Sequence, residues 1–321
     1  MIFILSLVLA ISPLVIIHEL GHYIVGKFLG AKPSKFSLGM GKVLYSKKKW
    51  GTEWRISLLP IGGYVMFDKA QFSFEMKDGK VKEKLEAWKW IPIALAGPLA
   101  NFLYTVIVFF GLFFYISGGI ESYNVSKSEK VIILKEKAQS SFIKNMVVGY
   151  SGEENIFLLK NQKIIPYESF EEISKSVNIE KIKNNNGIKN RLIFSLNTSI
   201  STFNFIFYET LKGVGGIFKS KDGYKAVSGP IGISQEAKKA LEGGLIPALF
   251  FSALISLALG FMNLVPLIVL DGGRAILALV ETITGKEPQG LFLSLYVRIS
   301  FVALVVLVMA STYSDIGKFF K

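Results

Sequence analysis

The chain has 321 residues, no Cys, two His, 51% hydrophobic residues and a net charge of +13, with a mean hydropathy of +0.44. That hydropathy leaves more apolar surface than one soluble core of this size hides, and a charged fraction of only 19% excludes disorder as the main state. The absence of Cys removes disulfides, thiol nucleophiles, iron–sulfur clusters and Cys-ligated zinc, and in so apolar a chain the lysine surplus points to membrane topology and anionic lipid rather than nucleic acid.

Residues 1–30 form the first expected span, apolar and uncharged before His18. A hydrocarbon core takes about 20 apolar residues. A signal peptide would show a positive leading segment and a small-residue cleavage site, and neither is there. Residues 31–90 read as a cytoplasmic, membrane-associated β segment, with strands at 35–38, 42–45 and 53–58. Pro60, Gly62 and Gly63 break the run before 64–67. Lys27, Lys32, Lys35, Lys42, Lys47, Lys48, Lys49 and Arg55 crowd this side, which the positive-inside rule places in the cytoplasm.

The second span is 91–117. Residues 118–200 suggest a small α+β domain, with a strand at 130–134, a helix-like stretch at 167–177, a polar loop at 181–190 and a strand at 191–196. This segment holds no candidate catalytic cluster. Residues 201–244, aromatic-rich at their start, read as an amphipathic interfacial segment. The third span, 245–280, is interrupted at Asp271-Gly272-Gly273-Arg274, and the fourth is 291–311. The expected class is a polytopic α-helical membrane protein with four spans, a β-hairpin segment and one small α+β domain.

Both histidines fall in His18-Glu19-Leu20-Gly21-His22. Residues four apart share a helix face, so both imidazoles reach one metal ion. Glu19, about 100° further round, reaches a water beside that ion. This is the H-E-x-x-H arrangement of two zinc ligands and a general base. Inside an apolar run such groups are costly unless paired or functional. Catalytic zinc takes three protein ligands; with His exhausted and Cys absent, the third is a carboxylate. Asp271 is the acidic residue standing in an apolar span, with a glycine pair behind it; Glu209 and Glu281 are the other candidates. The competing reading of Asp271-Gly272-Gly273 is a span-ending turn.

The apolar HELGH at 18–22 and the apolar NLVPLIVLDGG at 263–273 resemble the site-2 family of intramembrane zinc metalloproteases, especially its bacterial regulator of sigma-E protease branch. Gly51-Thr52-Glu53 with 58–65 resembles that family's membrane-associated β-hairpin. Gly97-Pro98-Leu99-Ala100-Asn101 resembles its GPxxN signature, and Ser228-Gly229-Pro230-Ile231-Gly232-Ile233 its SGPI segment. The likeness runs over 2–119 and 227–311. Two features depart from it. Ile268 stands where the family commonly has a second proline. The segment 118–200, matching the family's PDZ region, is short and degenerate: Phe142-Ile143-Lys144-Asn145-Met146 replaces a glycine-rich turn, and 150–155 lacks the usual Gly-Asp.

The resemblance implies a Zn2+-dependent endopeptidase that cuts within or beside the single transmembrane helix of a membrane-protein substrate, an anti-sigma factor or a remnant signal peptide. It implies a multi-pass protein of the bacterial cytoplasmic (inner) membrane, with its site towards the cytoplasm. His18, His22 and Asp271 would hold zinc and Glu19 would act as base. Gly62, Gly63 and Tyr64 would offer a strand edge for β-addition. Asn263 and Pro266 would open the third span and hydrogen-bond the substrate, and Asn101 would pack the second span on the first. The alternatives are a catalytically inactive zinc-binding scaffold, which has no need of Glu19, and a metal transporter, which needs more intramembrane polar groups than this chain offers.

Overall fold

A computed structural model of the chain describes residues 2–68, 76–77, 80–81, 85–117, 120–126, 129–134, 156–160, 163–167, 180–181, 188–217 and 229–319. The sequence folds first into helix α1 (Ile2–Phe28), which carries HELGH in its last three turns. Strands β1 (Pro33–Lys49) and β2 (Thr52–Phe67) follow as one long antiparallel hairpin. Its turn is Trp50-Gly51, both with positive φ (53° and 82°), the geometry that matches the twist of paired strands. The expected breaks at Pro60, Gly62 and Gly63 are bends rather than ends. β2 runs through them with Gly62 at φ 82°, and the doubled register shows the result: Phe36 pairs with both Trp54 and Val65, and Leu38 with both Ile56 and Gly63. The hairpin thus curls until Lys35–Leu38 lies between two segments of β2.

Aromatic packing seats the hairpin on α1. Phe36, 1% exposed, meets Tyr23 edge-on and tilts against Trp54, at ring distances of 5.9 and 4.7 Å. Beyond the bend, Phe67 joins a cluster of Ala31, Leu85 and Ile93 with Val25, Leu29 and Trp90. Ser37 and Ser57 share a buried hydroxyl contact at 3.1 Å, and Thr52 donates to the Pro33 carbonyl at 2.7 Å. The Arg55 guanidinium, hydrogen-bonded to Glu53, holds that carboxyl below its ordinary range.

Short strands β3 (Met76–Lys77) and β4 (Lys80–Val81) pair with each other ahead of helix α2 (Ala87–Ser117). Five strands come next: β5 (Ile120–Ser126), β6 (Glu129–Leu134), β7 (Ile156–Lys160), β8 (Lys163–Tyr167) and β9 (Glu180–Lys181). They form an antiparallel sheet in the order β8-β7-β6-β5-β9. The strand expected at 130–134 is β6. The helix-like stretch expected at 167–177 lies outside the described residues beyond Tyr167, the end of β8, as do 142–146 and 150–155.

Helix α3 (Ile188–Ile217) corrects the strand expected at 191–196 and starts the helical part of the chain before residue 201. Its buried face is polar: Ser195 and Ser199 are fully buried, while Leu192, Ile193, Leu196 and Ile200 are exposed. The helical period is carried by Arg191, Ser195 and Ser199, each four residues on, and not by the apolar residues between them. Arg191 donates to the Phe114 carbonyl at 2.8 Å, with its guanidinium over the Phe114 ring at 4.5 Å.

The remaining helices are α4 (Pro230–Glu242), α5 (Leu245–Asn263), α6 (Asp271–Thr284) and α7 (Gly290–Phe319). The Asp315 carboxylate on α7 caps α4 by accepting from the Gly229 and Gly232 N–H groups at 3.0 and 2.8 Å. Among the described residues, three helices are long and apolar enough to cross a bilayer: Ala87–Tyr115, Leu245–Asn263 and Gly290–Thr312. The expected third span is broken, but the break is 264–270, ahead of Asp271 and not at it. Asp271-Gly272-Gly273 is neither a turn nor an end; it opens α6, where a carboxylate suits the helix dipole. The pair must be glycine for the preceding backbone to fit. A Cβ on Gly272 would lie 2.7 Å from the Val265 carbonyl oxygen, and one on Gly273 would lie 2.5 Å from the Ile268 nitrogen.

Contacts divide the chain into two units, Met1–Thr105 with Thr210–Lys238 and Ser252–Lys321, and Val106–Glu209 with Lys239–Phe251. Every residue of the site described next belongs to the first.

Candidate metal centre

Helix α1 puts His18 and His22 on one face, and both are 8% exposed. Their Nε2 atoms stand 3.2 Å apart. The first residue of α6 brings Asp271 to the same point, with Oδ2 at 2.9 Å from His18 Nε2 and 3.2 Å from His22 Nε2. Among the described residues, these three form the cluster able to hold a metal ion, with ligand atoms all within 4.8 Å of one another. Glu209 and Glu281, the other carboxylates weighed for the third position, are not part of it.

Helix α2 supplies what surrounds the cluster. The Ile93 carbonyl lies 2.7 Å from His22 Nδ1, so Nδ1–H donates there and Nε2 presents a lone pair to the cluster. The Asn101 side-chain amide stands 3.2 Å from His18 Nδ1. Asn101 is fully buried, and because His18 stands on α1 this contact packs α2 on α1, through an imidazole. Gly97 faces both rings. A Cβ there would collide with His22 Nε2 and come within 2.7 Å of His18 Nε2, so any side chain at 97 would fill the space between the imidazoles.

The chemistry of this donor set fits a metal ion. Asp271 Oδ2 is buried without a hydrogen-bond partner, and His22 Nε2 turns a lone pair towards it. With both rings offering Nε2 as a lone pair, the form a metal ligand takes, three acceptors meet out of water, at a cost of about 1–3 kcal/mol each and more for a charged group. A cation at their common focus removes that cost.

Glu19, next to His18, is half-buried, and the Val65 backbone N–H of β2 donates to its carboxylate. Gly63 lies over the same residue: its missing Cβ would sit 3.4 Å from Glu19 Cγ and 3.2 Å from Val15 Cγ1. Of the residues expected to bind substrate, Gly63 therefore stands beside the cluster. Gly62 forms the bend against Met40, and a Cβ there would lie 2.8 Å from Met40 Cε. The Tyr64 side chain is hydrogen-bonded to Arg55. Asn263 and Pro266 lie on the approach to Asp271. The Asn263 amide donates to the Leu259 carbonyl at 3.0 Å, and the Pro266 carbonyl accepts from Tyr296 at 2.9 Å.

Sequence reasoning missed Ile93, Gly97 and the imidazole partner of Asn101. A backbone carbonyl carries no sequence signal. Gly97 and Asn101 stood in a recognised motif, but nothing in their spacing says which face of α2 meets the histidines.

Two imidazoles and a carboxylate focused on one point, with a second carboxylate beside them in a chain of membrane-crossing helices, define a metal-dependent membrane hydrolase. The chain belongs to Peptidase family M50, the site-2 proteases, whose family model matches residues 6–307, and it is a metalloprotease. It is similar over its whole length to a protein of Rickettsia conorii named as a zinc metalloprotease, at 29% identity with 100% of both chains covered. Proteins of Campylobacter jejuni and Clostridium acetobutylicum with the same kind of name are each 28% identical, covering 98% and 96% of this chain and 93% and 96% of their own.

Proposed function

We propose that this metalloprotease is a zinc-dependent intramembrane endopeptidase that cleaves the transmembrane segment of a single-span membrane protein. The observation that carries the reading is the partnerless Asp271 carboxylate oxygen meeting two imidazole nitrogens 2.9 and 3.2 Å away on a buried helix face. His18, His22 and Asp271 hold the zinc ion. For His18 to offer Nε2, its proton sits on Nδ1. The Asn101 amide then turns its oxygen to that proton, which also gives the otherwise partnerless Oδ1 a donor. When bound, zinc supplies a Lewis acid that polarises the scissile carbonyl and acidifies water.

Glu19 takes the proton from the attacking water on a carboxylate oxygen and passes it to the leaving amine. The Val65 N–H that donates to Glu19 keeps its carboxylate aimed at the site. A helical substrate hides its carbonyls in its own hydrogen bonds, so it must unwind and enter extended. The Gly63–Phe67 end of β2 has Pro33–Leu38 on one side and Glu19 close to it. It is the surface against which an extended strand adds by main-chain hydrogen bonds. Gly63 and Tyr64 belong to that surface and Gly62 makes the bend that opens it, whereas Asn263 and Pro266 shape the break that delivers Asp271. The lysine-rich hairpin supports a cytoplasmic side for the site in a bacterial inner membrane, and anti-sigma factors and remnant signal peptides are the substrate classes we propose.

The test is cleavage of a single-span substrate by the purified protein in liposomes, with the cut mapped by mass spectrometry. The native chain should cut within or beside the span. Glu19→Gln should keep its zinc and lose about 100-fold or more in rate, the scale of positioned acid–base catalysis. Cleavage confined to soluble peptides, or native turnover in Glu19→Gln, would overturn the reading.

A further inference from the structure

The stretch 264–270 delivers Asp271 to the cluster, and most of its backbone bonds are local. Leu264 donates to Phe261 at 3.1 Å, Val265 to Met262 at 3.1 Å, Leu267 to Val265 at 2.8 Å and Leu270 to Leu267 at 2.8 Å. Two of its polar groups reach further, and both go to α7. The Ile268 N–H donates to Ser300 Oγ at 3.1 Å, and the Pro266 carbonyl accepts from the Tyr296 hydroxyl at 2.9 Å. Tyr296 and Ser300 are four residues apart and so lie on one face of α7. Ser300 is fully buried, although α7 exposes nearly all its large apolar residues, among them Leu291, Phe292, Ile299, Phe301 and Val302.

The stretch is tightly coupled to Asp271. Gly273 is packed on the backbone of Leu267 and Ile268, and Gly272 on that of Leu264 and Val265, so a shift of 264–268 is passed directly to the first turn of α6. The bond from Ile268 also depends on what stands at that position. Proline has no N–H, so the contact with Ser300 exists only because residue 268 is not proline.

We propose that Ser300 and Tyr296 are positioning residues. From α7 they clamp the 264–270 stretch and thereby set the distance of the Asp271 carboxylate from His18 and His22. The inference rests on the reading that this cluster holds zinc. Neither side chain touches the reacting atoms, so the effect is read at the metal as well as in turnover.

The experiment uses the full-length protein in detergent, stripped and reloaded with Zn2+ or Co2+, and compares the native chain with Ser300→Ala, Ser300→Thr and Tyr296→Phe. Metal affinity, the Co2+ absorption spectrum, kcat and KM are measured for each. Ser300→Ala should weaken metal binding about 10-fold, the lower end of the effect of residues that orient ligands. It should also change the Co2+ spectrum and lower kcat with little change in KM. Ser300→Thr, which restores the hydroxyl, should recover both the affinity and the spectrum, and Tyr296→Phe should act in the same direction more weakly. In an Ile268→Pro background, where the N–H is gone, Ser300→Ala should add nothing, as a double-mutant cycle requires. Native binding with an unchanged Ser300→Ala spectrum and affinity would overturn the clamp alone. Equal loss in Ser300→Ala and Ser300→Thr would also overturn it, because it would assign the effect to packing. A native chain that takes up neither metal would overturn the zinc reading and the clamp with it.

Discussion

Two groups of buried polar side chains, one joining α2 to α5 and one where α1 meets the start of α6, obey opposite rules. Between α2 and α5, Thr105 shares its one hydroxyl proton between the carbonyls of Asn101 and Ala253, each at 3.0 Å. Ser256 donates to the Asn101 carbonyl at 3.0 Å, and Tyr104 and Ser252 share a hydroxyl contact at 2.9 Å. Hydroxyl donors meet acceptors throughout, as in polar groups that join membrane helices. Around His18, His22 and Asp271, two imidazole nitrogens face a partnerless carboxylate oxygen at 2.9 and 3.2 Å, and in the tautomers that offer Nε2 to a metal, acceptors meet acceptors. Burial is alike in the two places, since Thr105 and Ser256 are fully buried and Asp271 is 6% exposed. The balance of donors and acceptors, rather than burial, separates the polar group that holds helices together from the one proposed to bind an ion.

Removing the cluster's anion is the strongest way to break this contrast. Asp271→Ala should abolish proteolysis and weaken zinc binding by more than about 100-fold, beyond what outer-shell changes usually cost; equilibrium dialysis with metal analysis measures it. Asp271→Asn sharpens the contrast by reversing its sign. An amide N–H can donate to an imidazole lone pair, so the metal-free protein should melt at a higher temperature than the metal-free native chain while its activity is lost. A lower melting temperature would mean that the acceptors are not in conflict.

Filling the space between the rings comes next. Gly97→Ala puts a methyl against both imidazoles, an overpacking of about 1–3 kcal/mol, and should reduce both zinc affinity and turnover. Gly111→Ala in the same helix meets nothing within 4 Å. It should leave activity alone and stabilise slightly, by up to about 1 kcal/mol of helix propensity. Paired measurements of zinc affinity and thermal midpoint distinguish the two.

The satisfied set should show the smallest functional effect. Thr105→Val removes one hydroxyl that serves two carbonyls and should cost about 1–2 kcal/mol of stability. Zinc affinity should be unchanged. A loss of zinc in this variant would erase the distinction between the two sets.

The chemistry of the site was legible because it depends on residue type and local spacing. His18, Glu19 and His22 lie within one helical turn, and the absence of Cys and of further His left a carboxylate as the third ligand. What surrounds them depends on which helix faces meet, and that is not local. Asn101 was legible as a residue that packs α2 on α1, but its partner there, the His18 imidazole, was not. Asp271-Gly272-Gly273 read as an interruption because Asp-Gly pairs usually make turns. Here the same small residues open a helix and admit the preceding backbone. The strand expected at 191–196 is part of a helix, because a short apolar run does not show the period that Arg191, Ser195 and Ser199 carry. On α3 the serines are inside and the leucines and isoleucines outside, so the periodicity was present but inverted.

The central claim is that His18, His22 and Asp271 together bind one zinc ion, and zinc-edge X-ray absorption of the purified full-length protein tests it most directly. The account predicts stoichiometric zinc with scattering from two imidazoles and oxygen donors, and loss of that signal in Asp271→Ala. Stoichiometric zinc with an unchanged spectrum in Asp271→Ala would contradict it.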